Sequence, residues 1–406
     1  MRVLIVGSGG REHALAWKLA ASPSLSELHA APGNPGIAAL GECHPVRAED
    51  GEGLLALARA LDVDLAVIGP EAPLVAGVAD ELRHAGVAVF GPTRAAARIE
   101  GSKSFAKELM EAAGVPTAAA MPVARPPCVV KADGLAAGKG VFVCRTADEL
   151  EAALHAASSL GQQIVIEELL EGEELSLFVL TDGSRTIPLG AARDYKRAGD
   201  GDTGPNTGGM GAFSPVPDID AAVVGDLADR IHRPVLAELA RRGTQFSGLL
   251  YAGLMLTSDG PRVLEFNCRF GDPETQSLLP LVAGDLLAAL AAAAAGDLRG
   301  VELETSPRAA VTVVVAGERY PEEGDVGTPI GGIEEAVAAG TLVFHAGTAL
   351  RGDTLVTNGG RILDVTAVGD DLDEARRAAY DGATRISFAG ARYRRDIASP
   401  EGRRAR

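Results

Sequence analysis

The chain has 406 residues and a formal net charge of −17, from 38 lysines and arginines against 55 aspartates and glutamates. At roughly 100 to 200 residues per domain, this length predicts two to four domains. A content of 47% hydrophobic and 23% charged residues is typical of an ordinary soluble globular protein and excludes disorder of the whole chain. Because the acidic surface repels polyanions, we expect neither nucleic acid nor an anionic membrane as a partner, although a local basic cleft can still bind phosphates.

The four cysteines predict neither a disulfide framework nor a zinc site, since Cys43, Cys128, Cys144 and Cys268 lie far apart, without a CxxC pair and without a nearby histidine at metal-ligand spacing. The opening MRVLIVGSGGREH has only a short apolar run before a glycine-rich turn, which does not suit a signal peptide. The most apolar helical stretch, 286–296, is too short to span a membrane. We therefore expect a cytoplasmic protein.

The first region, 1–101, alternates strand and helix patterns and predicts a doubly wound parallel α/β sheet. Apolar runs at 4–6, 65–68 and 87–90 alternate with helix-like stretches at 12–20, 52–61 and 74–84. The turns GSGG (7–10), GPEAPL (69–74) and GPT (91–93) follow candidate strands. In an open α/β sheet such turns share the carboxyl edge, where ligands bind, so this edge is the first candidate site.

The region from about 102 to 305 predicts an α+β fold, mostly antiparallel, that begins with a helix at 103–113. The predicted strand pairs are 128–131 with 141–144, 176–180 with 186–189, and 248–256 with 262–270. Asp182-Gly183 and Asp259-Gly260 are typical hairpin turns. The last region, about 306–406, predicts a small α+β domain with strands in VTVVVAG and RILDVTAV, a helix near 371–385 and a solvated basic tail.

The GSGG turn only partly fits a dinucleotide-binding fingerprint. Gly7 and Gly9 match G-x-G, but Glu12 occupies the third glycine position, so we expect no nicotinamide cofactor. Two interpretations stay open. The backbone N–H groups of Gly9, Gly10 and Arg11 can cradle a phosphate at a helix start, or the glycines simply allow a tight strand-to-helix turn.

The segment KADGLAAGKG (131–140) differs from a Walker A loop, because Gly134 and Gly138 enclose three residues and Lys139 is followed by Gly140. A strand, VFVC, follows it. We predict a glycine-rich hairpin loop that folds over a triphosphate as a flexible lid, with Lys131 directing its ammonium at the phosphates. The alternative is an exposed hairpin tip.

The segment RVLEFNCRF (262–270) predicts a strand with one polar face and one core face. The polar face would carry Val263, Glu265, Asn267 and Arg269, and the core face Leu264, Phe266, Cys268 and Phe270. A carboxylate and a carboxamide oxygen about 7 Å apart along a strand can both ligate Mg²⁺, and Arg269 can neutralise a transferring phosphoryl group or hold a carboxylate. The alternative is a half-exposed amphipathic strand.

Two further segments allow a functional and a structural interpretation. The stretch 193–211, rich in glycine and charge, is either a functional loop or disordered. The stretch IVIEELLEGEE (164–174) either offers backbone groups to an adenine and a glutamate to a ribose, or leads from a strand into a solvated turn.

Six motifs in this order, GSGGREH, GPEAPL, GSKSFAK, KADGLAAGKGV, DTGPNTGGMGAFSP and EFNCRFGDPETQ, closely resemble the glycinamide ribonucleotide synthetases of the ATP-grasp superfamily. The resemblance covers nearly the whole chain. It implies an N-terminal domain (1–101), an ATP-grasp domain (102–305, lid subdomain about 115–173) and a C-terminal domain (306–406). It also implies a monomer that uses ATP and Mg²⁺ or Mn²⁺ to join glycine to 5-phosphoribosylamine through glycyl phosphate, the second step of purine biosynthesis.

The resemblance also implies roles for individual residues. The lysines for the ATP phosphates are Lys103 and Lys131, and the other nucleotide-binding residues are Gly138, Lys139, Gly140, Glu167, the hinge Glu168 to Leu170, and Glu174 as the ribose contact. Glu265 and Asn267 correspond to the metal ligands. Asp194, Arg269 and Asp272 correspond to residues that approach the carboxylate and amine substrates.

The phosphoribosyl group needs local N–H dipoles or cations to outweigh the acidic field of the chain. We therefore expect it at Gly9, Gly10, Arg11 and Glu71, on the carboxyl edge of the N-terminal sheet, which predicts an active site between the N-terminal and central domains.

One segment, TAAAMPVARPP before Cys128, departs from the family pattern, in which a longer helical segment is usual; Pro122, Pro126 and Pro127 disfavour a helix there. The rival functions are another ATP-grasp carboxylate–amine ligase or carboxylase, and a catalytically silent nucleotide-binding module.

Overall fold

A computed structural model describes residues 1–135, 140–160 and 163–400. Within these ranges, none of the helices has the length and apolar character needed to cross a membrane. All four cysteines lie in the described part of the chain and are free thiols, so the expectation of no disulfide is confirmed.

The N-terminal region forms a parallel sheet with helices packed around it. Its elements are β1 (Arg2–Gly7), α1 (Gly10–Ala20), β2 (Glu27–Pro32), α2 (Pro35–Ala38), β3 (Glu42–Cys43), α3 (Gly51–Ala60), β4 (Leu65–Ile68), α4 (Glu71–Ala76), α5 (Val78–His84) and β5 (Ala88–Phe90). In the described chain the strand order is β3-β2-β1-β4-β5, and all pairs are parallel. The order reverses beside β1, so the turns after β1 and β4 meet at one edge.

The prediction of a single helix at 74–84 is wrong, because two helices, α4 and α5, occupy this stretch. Gly77 between them has φ +97°, a left-handed conformation that ends α4 and that other residues rarely adopt.

Two consecutive helices, the first at the end of the N-terminal region and the second at the start of the central region, lead into a small separate sheet. These elements are α6 (Arg94–Gly101), α7 (Lys103–Ala113), β6 (Cys128–Ala132), β7 (Val141–Cys144), α8 (Ala147–Ser159) and β8 (Ile164–Glu168). The sheet order β7-β6-β8 is antiparallel, with Cys128 opposite Cys144 as the hairpin prediction required. This small sheet and α8 enclose their own core, which includes Val130, Ala153 and Ala157. As its prolines predicted, 116–127 forms no helix.

The rest of the central region consists of long antiparallel strands with flanking helices. The elements are β9 (Glu173–Thr181), β10 (Thr186–Asp194), β11 (Arg197–Gly199), β12 (Thr203–Asn206), β13 (Gly211–Ser214), α9 (Ala221–Leu227), a π-helical turn (Ala228–His232), α10 (Arg233–Arg241), β14 (Gly248–Thr257), β15 (Gly260–Asn267), α11 (Glu274–Leu278), β16 (Val282–Ala283), α12 (Leu286–Ala294) and β17 (Glu304–Thr305). Both predicted hairpins, β9–β10 and β14–β15, are present.

The C-terminal region has eight labelled elements within the described residues. They are β18 (Ala309–Ala316), β19 (Asp325–Pro329), α13 (Ile333–Ala338), β20 (Leu342–His345), β21 (Thr348–Arg351), β22 (Thr354–Gly359), β23 (Arg361–Gly369) and, as the closing helix predicted near 371–385, α14 (Leu372–Ala383). The predicted basic tail lies beyond the described residues from position 401 onward.

One large sheet joins the central and C-terminal regions. Its order in the described chain is β15-β14-β9-β10-β13-β18-β23-β20. The junction is the antiparallel pair β13–β18, in which Gly211 lies opposite Val313 and Ser214 opposite Ala310. The division expected near 305 therefore falls between strands of a continuous sheet. The largest core cluster likewise contains buried residues from all three regions, such as Leu4, Phe213 and Val313.

Candidate active site

A cleft of about 1260 Å³ lies between the three regions. Single-ligand pockets are usually ~300–1,000 Å³, so this cleft has room for more than one small molecule. The N-terminal region contributes the turns after β1 and β4, the central region contributes β15 and the small sheet, and the C-terminal region contributes Tyr320, Thr348 and Arg361. The sequence predicted the first two walls, but it did not predict the C-terminal wall.

The polar end of β15 faces this cleft. Glu265 and Asn267 both line it, as the alternating pattern predicted. Burial raises the pKa of the Glu265 carboxyl, but the positive charges of Lys196, Lys131 and Lys103 outweigh that effect and lower it. Among the described residues, no group donates a hydrogen bond to the Glu265 carboxylate. Its oxygens are therefore charged and available to a cation.

The predicted faces of this strand are wrong at Val263 and Leu264. Val263 is fully buried in the core, and Leu264 lines the cleft instead. The pairing explains the exchange, since Gly253 lies opposite Glu265 while the next residue, Leu254, lies opposite Val263. Such a bulge inserts one extra residue and reverses the face of the residues before it.

Arg269 lies in the cleft wall but is held by acidic neighbours. Its Nε donates to Glu71 Oε2 at 3.1 Å, and its Nη2 lies 2.9 Å from Glu100 Oε1. The same Nη2 donates to Asn267 Oδ1 at 3.2 Å. Burial lowers the pKa of the guanidinium, but Glu100 and Glu71 raise it overall. Burial raises the pKa of Glu71, but Arg269 and Arg11 outweigh burial and lower it to about 2.

The two predicted phosphate lysines both line the cleft. Lys103 begins α7, and its Nζ donates to the Gly134 carbonyl at 2.8 Å. Its backbone N–H donates to Asp133 Oδ1 at 2.5 Å, so the end of β6 holds the helix start. Burial is the main cause of the lowered pKa of the Lys103 ammonium.

Lys131 is held in place by a buried glutamate that forms ion pairs with two lysines. Glu167 on β8 contacts Lys131 Nζ through one oxygen and Lys107 Nζ through the other, each at 2.6 Å. Lys131 Nζ also donates to the Leu264 carbonyl at 2.9 Å. Although Glu167 lines the cleft, its carboxylate is engaged by these two lysines, so its geometry is that of a residue that positions Lys131.

The predicted adenine hinge borders the cleft at Glu168, Leu169 and Leu170. The Glu168 carboxylate accepts a hydrogen bond from the Ala119 N–H at 2.8 Å. The carboxylate of Glu174 contacts Lys196 Nζ at 2.6 Å. Gly140 also lines the cleft, whereas Gly138 and Lys139 lie outside the described residues.

A group of ionisable side chains surrounds Asp194 at the end of β10. Burial is the main cause that raises the pKa of Asp194 to about 7, and the carboxylates of Glu274, Glu174 and Glu265 add to it, while Lys196 opposes it. Burial lowers the pKa of Lys196, but Asp194 and its acidic neighbours raise it well above its usual value.

Lys196 and Glu274 were missed by the sequence reasoning. Glu274 accepts a hydrogen bond from Tyr251 at 2.9 Å and lies in the GDPETQ motif, whereas Lys196 lies in RDYKRAG. In each case the sequence signal was a charged side chain inside a motif that had already been singled out.

The stretch 193–211 is folded. It contains the β11–β12 hairpin, and Thr207 N–H donates to the Lys196 carbonyl at 2.7 Å. Arg361 from β23 donates to the Gly208 carbonyl at 2.7 Å and lies 3.0 Å from Asp272 Oδ2. This arginine, also missed from the sequence, fixes both the stretch and Asp272 at the cleft.

In the GSGG turn and the arginine that follows it, groups that were expected to bind a phosphate already make hydrogen bonds to other protein atoms. Gly9 N–H donates to Glu12 Oε2 at 2.6 Å, and the Arg11 guanidinium donates to Glu12 Oε1 at 2.6 Å and to the Phe270 carbonyl at 3.0 Å. Gly9 and Arg11 line the cleft, but Gly10 does not. A Cβ at Gly10 would lie 1.9 Å from Asp364 Oδ2, so this glycine serves close packing against the C-terminal region. These contacts favour the turn interpretation for Gly9 and Gly10.

Comparison with known families and structures gives a consistent result. The models described as "Phosphoribosylglycinamide synthetase" match residues 1–100 with the N domain, 101–275 with the ATP-grasp (A) domain and 310–400 with the C domain. The chain is 52% identical to a phosphoribosylamine–glycine ligase of Streptomyces coelicolor, over 98% of this chain and 99% of the relative.

Solved structures show the same similarity. The crystal structure of a phosphoribosylamine–glycine ligase from Thermotoga maritima aligns with a TM-score of 0.83 at 36% identity, covering 98% of this chain and 100% of that chain. The biotin carboxylase domain of a Hydrogenobacter thermophilus 2-oxoglutarate carboxylase, in complex with MgADP, ADP and bicarbonate, aligns with a TM-score of 0.70 at 17% identity, over 96% of this chain and 91% of that one. That second likeness concerns the fold alone.

Proposed function

Since the chain belongs to the phosphoribosylglycinamide synthetase family, whose N, ATP-grasp and C domain models it matches in succession, we propose that it ligates glycine to 5-phosphoribosylamine in its central cleft, with ATP as cosubstrate. The products are glycinamide ribonucleotide, ADP and phosphate. The observation that carries this proposal is the convergence of Lys103, Lys131 and Lys196 on Glu265 within one large cleft. Four charged groups of this kind suit a polyphosphate with a bound cation.

The reaction proceeds through glycyl phosphate. A glycine carboxylate is a poor acylating agent, because attack by an amine would have to expel oxide. A carboxylate oxygen attacks the γ-phosphorus of ATP, ADP leaves, and the acyl phosphate forms. The amine of phosphoribosylamine then attacks the acyl carbon, phosphate leaves, and the amine loses a proton. The chain has to position reactants and exclude water, which agrees with a cleft that offers charges rather than an activated nucleophile.

Glu265 and Asn267 are the residues that would hold Mg²⁺, or Mn²⁺ in its place. Their donor atoms are hard oxygens, which such cations prefer, and the Glu265 carboxylate is charged and receives no hydrogen bond from the described residues. A cation held there would neutralise negative charge on the phosphates of ATP.

The residues proposed to bind the nucleotide are those near the wall of the cleft that the small sheet forms. Lys103 and Lys131 bind the phosphates, and Gly138, Lys139 and Gly140 are the other proposed nucleotide-binding residues of this segment. The backbone at Glu168 to Leu170 meets the adenine, and Glu174 meets the ribose. Glu167 acts on the nucleotide only indirectly, because it positions Lys131 through the 2.6 Å contact between its carboxylate and the lysine Nζ.

The two other substrates bind toward the turns of the N-terminal sheet. Asp194, whose pKa of about 7 suits a group that takes up a proton near neutral pH, is the base for the attacking amine. Arg269 and Asp272 contact the carboxylate and amine groups. Arg11 and Glu71 contact the phosphoribosyl group, while Gly9 and Gly10 shape the turn beneath it. The protein works as a cytoplasmic monomer on small molecules and binds no nucleic acid.

The test is an ADP-release assay with Mg²⁺, ATP and glycine, with and without phosphoribosylamine generated in place. We expect ADP release that requires both glycine and phosphoribosylamine. A parallel reaction with bicarbonate in place of glycine tests the carboxylase alternative. ADP release with bicarbonate, or with glycine and an amine other than phosphoribosylamine, would replace the proposed function by another ATP-grasp reaction, and no release with any combination would leave a silent module.

A further inference from the structure

Two histidines and a glutamate form a compact cluster on the edge of the N-terminal sheet, outside the cleft. His29 lies on β2 opposite Glu42 on β3, and His44 follows β3 directly. The His44 N–H donates to the Ala30 carbonyl at 2.9 Å, so the backbone fixes both histidines in adjacent positions. None of the three residues lines the cleft, and the proposed reaction uses none of them.

The donor atoms of the cluster are spaced as metal ligands are. His29 Nδ1 and His44 Nε2 are 3.1 Å apart, and His29 Nδ1 lies 3.9 Å from Glu42 Oε2. One ligand atom from each residue lies within 4.8 Å of the others. In a tetrahedral site with metal–ligand distances near 2.0–2.1 Å, neighbouring ligand atoms are about 3.3 Å apart. The two nitrogens already have this spacing, and the exposed Glu42 side chain is free to approach by rotation.

The far side of His29 provides a second, independent observation. Its Nε2 is buried and, within the described residues, has no hydrogen-bond partner. It lies 3.5 Å from Glu27 Oε2. When a histidine binds a metal through one nitrogen, its other nitrogen carries the proton and usually donates it to a carboxylate. Glu27, which Arg2 holds at 3.5 Å, is placed to accept that proton.

We propose that His29 Nδ1, His44 Nε2 and a Glu42 oxygen bind one divalent transition-metal ion, with Zn²⁺ as the best match and water completing a tetrahedron. Imidazole ligands favour Zn²⁺ over Mg²⁺, whereas the oxygens of Glu265 and Asn267 favour Mg²⁺, so the two sites select different cations. The ion links β2 to the segment after β3 and thereby stabilises the edge of the sheet. The cysteines take no part, in keeping with their spacing.

The experiment uses full-length protein without a histidine tag, in excess Mg²⁺ to saturate the cleft. Zn²⁺ is added, the protein is dialysed, and bound zinc is measured by mass spectrometry; Co²⁺ is used in parallel, because its visible absorption reports tetrahedral nitrogen and oxygen ligands. The variants are His44→Ala, which changes a half-buried side chain, and Glu42→Gln, which changes an exposed one. The matched control is His84→Ala, which removes an exposed histidine elsewhere in the same region.

We expect one zinc per chain in the wild type and in His84→Ala, and a loss of affinity of tenfold or more in His44→Ala and Glu42→Gln. ADP release should be unchanged in both variants. Wild-type stoichiometry and affinity in His44→Ala, or no bound zinc in the wild type, would overturn the proposal and leave the cluster as a hydrogen-bonded histidine pair. Because the assay of ADP release is separate, its outcome does not decide the metal site.

Discussion

Glu265 is the residue on which the proposed magnesium site most depends. We expect Glu265→Gln to lower turnover by about a hundredfold or more, because a neutral amide cannot balance the cation and the three surrounding lysines lose their shared counter-charge. The apparent Mg²⁺ requirement should rise in the same assay. Thermal unfolding should change little, since the side chain borders the cleft.

The matched control for this variant is Asp259→Asn, which removes an exposed carboxylate at the opposite end of the same hairpin. It should have wild-type turnover and the wild-type Mg²⁺ requirement. Wild-type activity in Glu265→Gln would show that this carboxylate does not hold the metal.

Asp194 gives the proposed reaction a defined pH dependence. Its pKa is raised to about 7, chiefly by burial, and the base must be deprotonated to accept a proton. Activity should therefore be half-maximal near pH 7, full well above it, and should fall about tenfold per pH unit well below it. Asp194→Asn should lose about 10²- to 10⁴-fold in kcat and should also lose this acid limb. The measurement is kcat/KM for phosphoribosylamine between pH 5.5 and about 8.5.

Asp297→Asn serves as the control, because Asp297 is a surface carboxylate paired with Arg299. Its pH profile should match that of the wild type. An unchanged acid limb in Asp194→Asn would assign the titration to another group.

The site residues that could be predicted are those whose role depends on local spacing. Glu265 and Asn267 share a strand face, and Lys131 ends a strand beside a glycine-rich loop, so local spacing marks each motif as a candidate, and the structure shows that all three residues line one cleft. Arg361 could not be found in this way, because it reaches the cleft through a contact with Gly208 across 153 positions of the chain. For Gly9 the sequence leaves a phosphate cradle and a tight turn as open alternatives, and the structure adds that its N–H group donates to the Glu12 side chain.

At the scale of elements, the small sheet of β6, β7 and β8 with α8 is a unit with its own core. We expect this unit to close over ATP, because glycines between Gly134 and Gly140 allow the backbone change that closure needs. Amide hydrogen exchange in the peptide 128–144 should slow when a nonhydrolysable ATP analogue is added with Mg²⁺.

The reference for this measurement is the peptide covering Ala309–Ala316, the fully buried strand β18, whose exchange should not change. Equal exchange of 128–144 with and without nucleotide would show that this loop does not act as a lid. Residues 136–139 lie outside the described structure, so exchange is the direct way to observe them.

The elements themselves were largely predictable, because hairpins such as β9–β10 depend on a short turn and alternating neighbours. The bulge opposite Gly253 was not predictable, since it depends on how Val263 packs against the segment 116–127. The Val263 N–H donates to the Pro116 carbonyl at 2.9 Å, and Thr117 Oγ1 donates to the Val263 carbonyl at 2.8 Å. These contacts draw Val263 into the core and move Leu264 to the cleft.

At the scale of the whole molecule, the C-terminal region takes part in the active site through Arg361. We expect Arg361→Ala to lower kcat/KM for glycine and phosphoribosylamine by about tenfold to a hundredfold, because Asp272 and Gly208 lose the guanidinium that fixes them. The KM for ATP should stay within about twofold, since the nucleotide is proposed to bind at the opposite wall.

Arg308→Ala is the matched control, an exposed arginine of the same region that pairs with Asp370. It should leave all three Michaelis constants unchanged. Equal loss toward ATP and toward the other substrates in Arg361→Ala would mean that the arginine serves general stability rather than the amine side of the cleft.

The pairing of β13 with β18 has a consequence for how such a chain can evolve. The residues Gly211 to Ser214 pair with β18 of the C-terminal region, and two of them, Ala212 and Phe213, also pair with β10 of the central region. A chain cut near position 305 would leave those residues on a bare sheet edge that other chains can join. Recombination that replaced about the last hundred residues would therefore have to supply a strand that pairs with β13 in the same register. It would also have to supply an arginine at the position of Arg361, which lines the cleft.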